Sequence, residues 1–270
     1  MPILALMPKK LLRSLALSAL ALSAACAGSS GSSAVGAKPS VTSTPALTGS
    51  ITVFAAASLT SSFTELGKAF EAAHPGTTIT FSFGPSSGLA QQIIAGAPAD
   101  VFASASAKNM TQVSDAGDAT AVETFAKNVA EIAVSPRSAG KVKALTDLAK
   151  PGVKVALCQP EVPCGALAQK VLATAKLTVK PVTQGLDVKS TLAYVTSDEV
   201  DAAIVYVTDV RAAKGKVVGV EIPAAVNAST AYQVATVKSS KSAALAEAFE
   251  QYVLSAAGQQ VLTDAGFAAP

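Results

Sequence analysis

From residue 50 onward, short apolar segments alternate with segments whose apolar residues recur at helical spacing. The first apolar segment is residues 51–54, and after it Leu59, Phe63, Leu66 and Phe70 fall on one helical face. Strands that alternate with helices predict a largely parallel α/β architecture. In such a sheet, ligands bind beyond the carboxyl ends of the strands.

The same alternation continues to the end of the 270-residue chain. A short helix is predicted with Leu89 and Ile93 on one face, and an amphipathic helix over residues 243–254 is followed by a short terminal one. Further strands are predicted at 78–83, 100–103, 128–134, 153–157, 202–207, 216–220 and 232–237, and further helices at 164–176 and 187–197.

Two serine-bearing turns lie where a predicted strand ends and a helix begins, at residues 54–58 and 84–88. A helix N-terminus has N–H groups without intrahelical partners and a partial positive charge, and a hydroxyl there adds a neutral donor. Two such turns that face one another would hold a small oxyanion without Lys or Arg, which favours a binding protein over an enzyme. Each serine could instead be only a helix cap, worth about 1 kcal/mol.

The N-terminus has the pattern of a bacterial lipoprotein signal. A basic region with Lys9, Lys10 and Arg13 precedes an apolar run at 15–21 and the small residues before Cys26, although Ser23 stands where such signals usually have Leu. We expect residues 1–25 to be a signal peptide, Cys26 to be lipidated, and 26–49 to be a flexible Gly/Ser/Ala/Thr/Pro tether. An ordinary signal peptidase site nearby is the alternative.

These expectations place the protein outside the cell, held by its lipid at the outer face of the membrane, since no segment after residue 50 is long and apolar enough to span a bilayer. Removal of 1–25 takes away three cations and no acid, so the formal charge of +3 becomes 0. A neutral chain without Trp and with only 5% aromatic residues gives no reason to expect nucleic-acid binding.

If Cys26 is lipidated, two of the three cysteines remain, Cys158 and Cys164, and an exported protein places them in an oxidising compartment. We expect them to form a disulfide across a short loop. Two reduced buried thiols are the alternative, and a metal site is disfavoured because His74 is the lone histidine and lies far away in the sequence.

Four segments carry a family resemblance: Ile-Thr-Val-Phe-Ala-Ala-Ala-Ser-Leu at 51–59, Gly-Ala-Pro-Ala-Asp-Val-Phe at 96–102, Val-Pro-Cys-Gly at 162–165 and Ala-Ile-Val-Tyr at 203–206. In this order they closely resemble the periplasmic molybdate-binding proteins of ABC transporters, from about residue 50 to the C-terminus. The resemblance implies a two-lobed type II periplasmic binding protein fold with the ligand cleft between the lobes. Lobe 1 would comprise 50–128 and 232–270 and lobe 2 would comprise 129–231, with crossover strands near 127–131 and 229–234.

The resemblance also implies the ligand contacts. The hydroxyls of Ser58, Ser86 and Tyr206 and the backbone N–H groups of Cys164 and Val188 would bind molybdate or tungstate, with Ser87 as the candidate if the register slips by one. The chain departs from the family pattern at Cys164, where a small residue is usual, and at Gly84-Pro85. No cofactor is implied, and the implied partners of a monomeric binding protein are the permease and the ATPase of the transporter.

Two other functions remain open from the sequence. The same fold could bind another tetrahedral oxyanion, such as sulfate or thiosulfate. A serine-dependent hydrolase is a remote alternative, because a nucleophilic serine needs a base and His74 lies at the far end of the helix that Ser58 opens. No Walker-type loop is present, so nucleotide hydrolysis would belong to another subunit.

Overall fold

The computed structural model describes residues 47–119 and 121–270 of the chain. The expected signal peptide, Cys26 and all but the last three residues of the expected tether lie outside these described residues. Within them, no helix combines the length and the apolar character that a bilayer-spanning segment requires.

Nine strands of the described chain form one mixed sheet. They are β1 (Gly49–Ala56), β2 (Thr77–Gly84), β3 (Val101–Ser104), β4 (Glu123–Val134), β5 (Val155–Cys158), β6 (Thr183–Gly185), β7 (Ala202–Tyr206), β8 (Val218–Glu221) and β9 (Ser229–Thr236). The order across the sheet is β2-β1-β3-β9-β4-β7-β5-β6, and β8 pairs with β4 beside this path.

Eight α-helices accompany the strands in the described residues. They are α1 (Thr60–Ala73), α2 (Ser86–Ile94), α3 (Ala107–Asp115), α4 (Pro163–Thr174), α5 (Val188–Thr196), α6 (Val207–Ala212), α7 (Ala243–Leu254) and α8 (Ala256–Ala265). A single 3-10 turn, Ala57–Leu59, joins β1 to α1.

The prediction of a largely parallel sheet was wrong for half of the pairings. Strands β1 and β5 pair in parallel with their neighbours, but β9 runs antiparallel to β3 and β4, and β4 runs antiparallel to β7 and β8. A helical crossover makes the two strands that it joins parallel, but it does not make them neighbours. Here β9, from the end of the chain, lies between β3 and β4.

Three short elements were not predicted, namely α3, β6 and α6. Helix α3 is mostly polar and buries only Asn109, Met110 and Val113, so it offers little apolar periodicity. Strand β6 has three residues and α6 has six, which is too short for a periodic pattern to develop.

The buried side chains form three clusters, and one of them combines both ends of the described chain. In that cluster the ring of Phe63 lies 5.7 Å from the ring of Phe125 and 6.2 Å from that of Phe249. A second cluster lies among β4, β5, β7, α4 and α5. Strand β4 contributes Phe125 to the former and Ile132 to the latter, so one continuous strand connects the two cores.

Candidate functional site

A cavity lies where several strands end and the following helices begin. Its volume is about 220 Å³ including its mouth. Pockets for larger organic ligands are typically about 300–1,000 Å³, so this cavity suits a small ligand. Its lining residues are Ala56, Ala57, Ser58, Gly84, Pro85, Ser86, Ala105, Val162, Pro163, Cys164, Asp187, Val188 and Tyr206.

The N-terminal ends of helices provide most of this lining. Ser86 is the first residue of α2, Cys164 is the second of α4, and Val188 is the first of α5. First-turn N–H groups have no intrahelical acceptor, and the helix dipole gives them a partial positive charge. Three helix ends that converge on one cavity therefore form a site for an anion.

Ser58 is buried and takes part in a hydroxyl network beside the cavity. Its Oγ lies 2.8 Å from the Tyr232 hydroxyl oxygen, which also accepts a hydrogen bond from Asn128 Nδ2 at 3.4 Å. The same Asn128 nitrogen donates to Thr208 Oγ1 at 2.8 Å. Because Tyr232 accepts from Asn128, its proton is available for Ser58, which leaves the Ser58 proton free to point into the cavity.

Ser86 is arranged in the same way on the other serine turn. Its Oγ accepts the N–H of Ala105 at 3.0 Å, and the residue is 1% exposed, so its own proton remains available for a ligand. Pro85 precedes it in extended conformation (φ −65°, ψ 130°), which makes Ser86 the first helical residue. Ser86 is among the residues that line the cavity and Ser87 is not.

The hydroxyl of Tyr206 is the buried polar side-chain atom that lacks a hydrogen-bond partner among the described residues. Tyr206 is 1% exposed and ends β7 at the cavity wall. Burial raises the pKa of its hydroxyl well above 10, and the neighbouring Tyr232 and Asp209 raise it further. A buried, protonated hydroxyl without a partner is costly, and this one is available as a donor at the cavity wall.

The first turn of α4 is held close to the preceding loop. Cys158 and Cys164 form a disulfide across that loop, and both are buried. A Cβ atom on Gly165 would lie 1.9 Å from the carbonyl oxygen of Gln159, so glycine is the residue that this contact permits. The close approach fixes the direction of the Cys164 N–H.

The start of α5 is fixed by a reciprocal cap. Asp187 Oδ1 accepts the N–H of Ser190 at 2.8 Å, and Ser190 Oγ accepts the N–H of Asp187 at 3.1 Å. The Asp187 carboxylate lines the cavity but is engaged with its own helix, which leaves the Val188 N–H at the open position.

The cavity lining is almost free of ionised side chains. Among the described residues that form it, Asp187 is the one carboxylate, and no Lys, Arg or His takes part. The donors are instead neutral hydroxyl and N–H groups. This donor set suits a small oxyanion, and neither a cofactor nor a metal cation is suggested by it.

The residues needed for the hydrolase alternative are far apart. His74 follows the last residue of α1, whereas Ser58 precedes its first. The 14 residues of that helix span roughly 20 Å. His74 therefore cannot act as a base for Ser58.

Sequence reasoning missed Tyr232 and Asn128 as parts of this site. Both are fully buried, on β9 and β4. They lie close to Ser58 because β4 pairs with β9, which is about a hundred residues away in the sequence. No short sequence pattern reports such a pairing, so these two residues could not be predicted.

Comparisons with known proteins agree with this architecture. The chain is 40% identical over 222 residues to the molybdate-binding protein ModA of Mycobacterium tuberculosis, which covers 82% of this chain and 85% of the relative. It is 32% identical to the putative ABC transporter substrate-binding lipoprotein YvgL of Bacillus subtilis, over 81% of this chain and 86% of the relative. The structure of the periplasmic molybdate-binding protein of Azotobacter vinelandii superimposes with a TM-score of 0.74 at 23% identity, over 82% of this chain and 99% of that one.

The expected fold is confirmed, because the mixed α/β architecture is that of periplasmic binding proteins. The expectation that the chain is a binding protein and not an enzyme is also confirmed, because its relatives are solute-binding proteins. Residues 51–268 match the family described as bacterial extracellular solute-binding proteins, and the chain belongs to that family.

Proposed function

We propose that this protein is the extracytoplasmic binding component of an ABC importer and captures molybdate, and also tungstate. The observation that carries the proposal is the convergence of Ser58, Ser86 and Tyr206 on one small cavity with the first-turn N–H groups of α4 and α5. The 40% identity to ModA over most of both chains supports the same ligand.

The chemistry of the donors explains how such a site would work. A dianion surrounded by hydroxyl and N–H donors is stabilised by charge-assisted hydrogen bonds and helix dipoles. Donors that are fixed in place discriminate between tetrahedral anions by size. A site whose donors are spaced for a larger anion would therefore bind that anion in preference to sulfate. Tungstate and molybdate have nearly equal tetrahedra, and we expect both to bind.

The wall of the cavity is drawn from two parts of the chain. Ser58 and Ser86 follow β1 and β2, whereas Cys164, Val188 and Tyr206 belong to segments between β4 and β9. We infer that residues 50–128 with 232–270 and residues 129–231 act as two lobes, with β4 and β9 as the connections. Closure of the lobes would bury the anion, and the transporter would recognise the closed form.

The partners and the location follow from this role. A permease and an ATPase would receive the anion and drive import, since the chain has no nucleotide-binding loop of the Walker type. We propose that lipidation of Cys26 anchors the protein to the outer face of the membrane and that residues 26–49 act as the tether. The likeness to a putative lipoprotein of Bacillus subtilis supports the anchor.

Calorimetric titration of the purified protein with molybdate, tungstate, sulfate and phosphate tests the ligand. We expect strong heats from molybdate and tungstate and none from phosphate or sulfate. A response to sulfate alone would keep the binding role but reassign the substrate. Silence from all four anions would refute the proposal.

A further inference from the structure

Lys189 and Asp209 form an ion pair next to the cavity, although neither of them lines it. Lys189 Nζ lies 2.9 Å from Asp209 Oδ1, and the Asp209 side chain is completely buried, whereas that of Lys189 is 32% exposed. An isolated buried carboxylate is unfavourable, and the ammonium group favours the ionised form of Asp209 against the rise in its pKa that burial causes.

The pair joins helices α5 and α6 beside two predicted ligand residues, Val188 and Tyr206. Lys189 follows Val188 in the first turn of α5, and Asp209 Oδ2 accepts the backbone N–H of Tyr206 at 3.3 Å. The ion pair therefore holds the start of α5 against the end of β7. The N–H of Val188 and the hydroxyl of Tyr206 keep their relative positions through it.

The charge of Asp209 reaches the cavity wall. It raises the pKa of the Tyr206 and Tyr232 hydroxyls, after the larger effect of their burial. A negative charge with this reach would also oppose the binding of an anion at those hydroxyls. Lys189 carries the opposite charge at hydrogen-bond distance from Asp209 and opposes this effect.

We propose that Lys189 is a positioning residue for anion binding, whose ammonium group neutralises Asp209 so that this carboxylate can hold Tyr206 and α5 without repelling the bound oxyanion. The inference rests on the proposed function, because it assumes that the anion occupies the cavity beside Tyr206. Lys189 does not contact the anion in this arrangement and acts through Asp209.

Among the described residues, charged groups on the neighbouring elements do not pair with Asp209 in place of Lys189. Asp187, at the start of α5, raises the pKa of Asp209, whereas Lys189 lowers it, and burial has the largest effect and raises it. On β4 and β8, Glu131 and Glu221 lie near one another and near Arg211. The Asp264 carboxylate on α8 accepts a hydrogen bond from Gln260.

Four variants of the full-length protein test this inference by titration with molybdate at pH 8: K189M, K189R, D209N and K189M/D209N. We expect K189M to bind about tenfold more weakly, because the uncompensated carboxylate repels the anion. K189R retains the positive charge and should stay within about threefold of the wild type. In K189M/D209N the repelling charge is gone but so is the ion pair that connects α5 to α6, so affinity should recover by about threefold or more relative to K189M without reaching the wild type.

A pH profile separates charge from packing. In K189M the pKa of Asp209 rises further, because the cation that opposed the effect of burial is lost. Lowering the pH from 8 to 6 should therefore protonate Asp209 in K189M and restore its affinity, with a much smaller change in the wild type. Equal pH profiles for the two proteins would overturn the inference.

Each remaining outcome has a definite meaning. If K189M binds like the wild type, or if K189M/D209N binds as weakly as K189M, Lys189 has no electrostatic role and the inference is wrong. If K189M does not fold, D209N decides, since the freed Lys189 charge should tighten binding whereas a purely structural pair would weaken it. If the wild type binds no molybdate but binds another oxyanion, the proposed function fails, and the same variants are titrated with that anion.

Discussion

The hydroxyl oxygen of Tyr232 lies 2.8 Å from Ser58 Oγ, and both residues are buried. Tyr232 also accepts from Asn128, so the most favourable arrangement has Tyr232 donating to Ser58. Ser58 is then an acceptor from Tyr232 and a donor to the cavity. The network therefore sets the direction of the Ser58 proton.

Removing the serine hydroxyls should abolish strong binding of the anion. Hydrogen bonds to a charged group contribute about 1.5–3 kcal/mol each, so we expect Ser58→Ala or Ser86→Ala to weaken molybdate binding by roughly 10–100-fold. Ser87→Ala is the matched control, because Ser87 neighbours Ser86 but does not line the cavity. Calorimetric titration measures the effect, and an equal loss in Ser87→Ala would move the site.

Tyr206→Phe should separate binding from stability. Its hydroxyl has no partner among the described residues, so its removal relieves a desolvation cost in the ligand-free protein. We expect the free energy of unfolding to stay unchanged or to rise by up to about 1 kcal/mol, while molybdate affinity falls roughly tenfold or more. Urea unfolding without ligand and titration with it provide the two numbers. A destabilised protein with normal affinity would contradict a role in binding.

Much of the candidate site could be predicted because its donors follow local patterns. A serine between the end of a strand and the start of a helix lies at a turn that can bind an anion. This pattern predicted Ser58 and Ser86. The sequence favoured Ser86 and kept Ser87 as the alternative. The extended conformation of Pro85 makes Ser86 the first residue of α2, which supports Ser86 as the proposed contact.

The parts that could not be predicted depend on distant strands. Tyr232 meets Ser58 only because β9 inserts between β3 and β4, and no periodicity reports which strands are neighbours. The motif at 96–102, which carried part of the family resemblance and was not predicted to contact the ligand, has a structural role. Asp100 accepts the N–H of Thr52 at 2.7 Å and a hydrogen bond from Ser240, so it fastens β1 rather than contacting the cavity.

Anion binding should be insensitive to pH in the range where an ordinary tyrosine begins to ionise. Burial raises the pKa of Tyr206 and Tyr232 above the usual 10, so both hydroxyls keep their protons and remain donors as the pH rises to 10. We expect molybdate affinity to be nearly constant between pH 7 and about pH 10. The check is titration across this range with Tyr206→Phe as the control. A loss of affinity near pH 9–10 that disappears in this variant would show that Tyr206 ionises normally.

The disulfide should stabilise the fold more than it supports binding. Cys158 and Cys164 are six positions apart, and closing so short a loop in the unfolded chain is worth about 2 kcal/mol. We expect C158A/C164A to lose about that much free energy of unfolding and to retain molybdate affinity within roughly fivefold, since only the N–H of residue 164 is proposed to contact the anion. A wild-type sample unfolded in reductant should match the variant. A hundredfold loss of affinity would instead give the bridge itself a role in binding.

Gly165→Ala should disturb the start of α4 and, through it, the anion site. The added Cβ would lie 1.9 Å from the carbonyl oxygen of Gln159 and 2.9 Å from that of Cys158, and neither backbone atom can move without shifting the loop. We expect a loss of about 2–4 kcal/mol in the free energy of unfolding and at least tenfold weaker binding of molybdate, because the Cys164 N–H changes direction. Gly140→Ala is the matched control, since a Cβ there has no heavy atom within 4 Å. Thermal unfolding and titration of both variants test this, and a Gly165→Ala protein that matches Gly140→Ala in both measurements would show that the close approach of α4 to its loop does not set the geometry of the site.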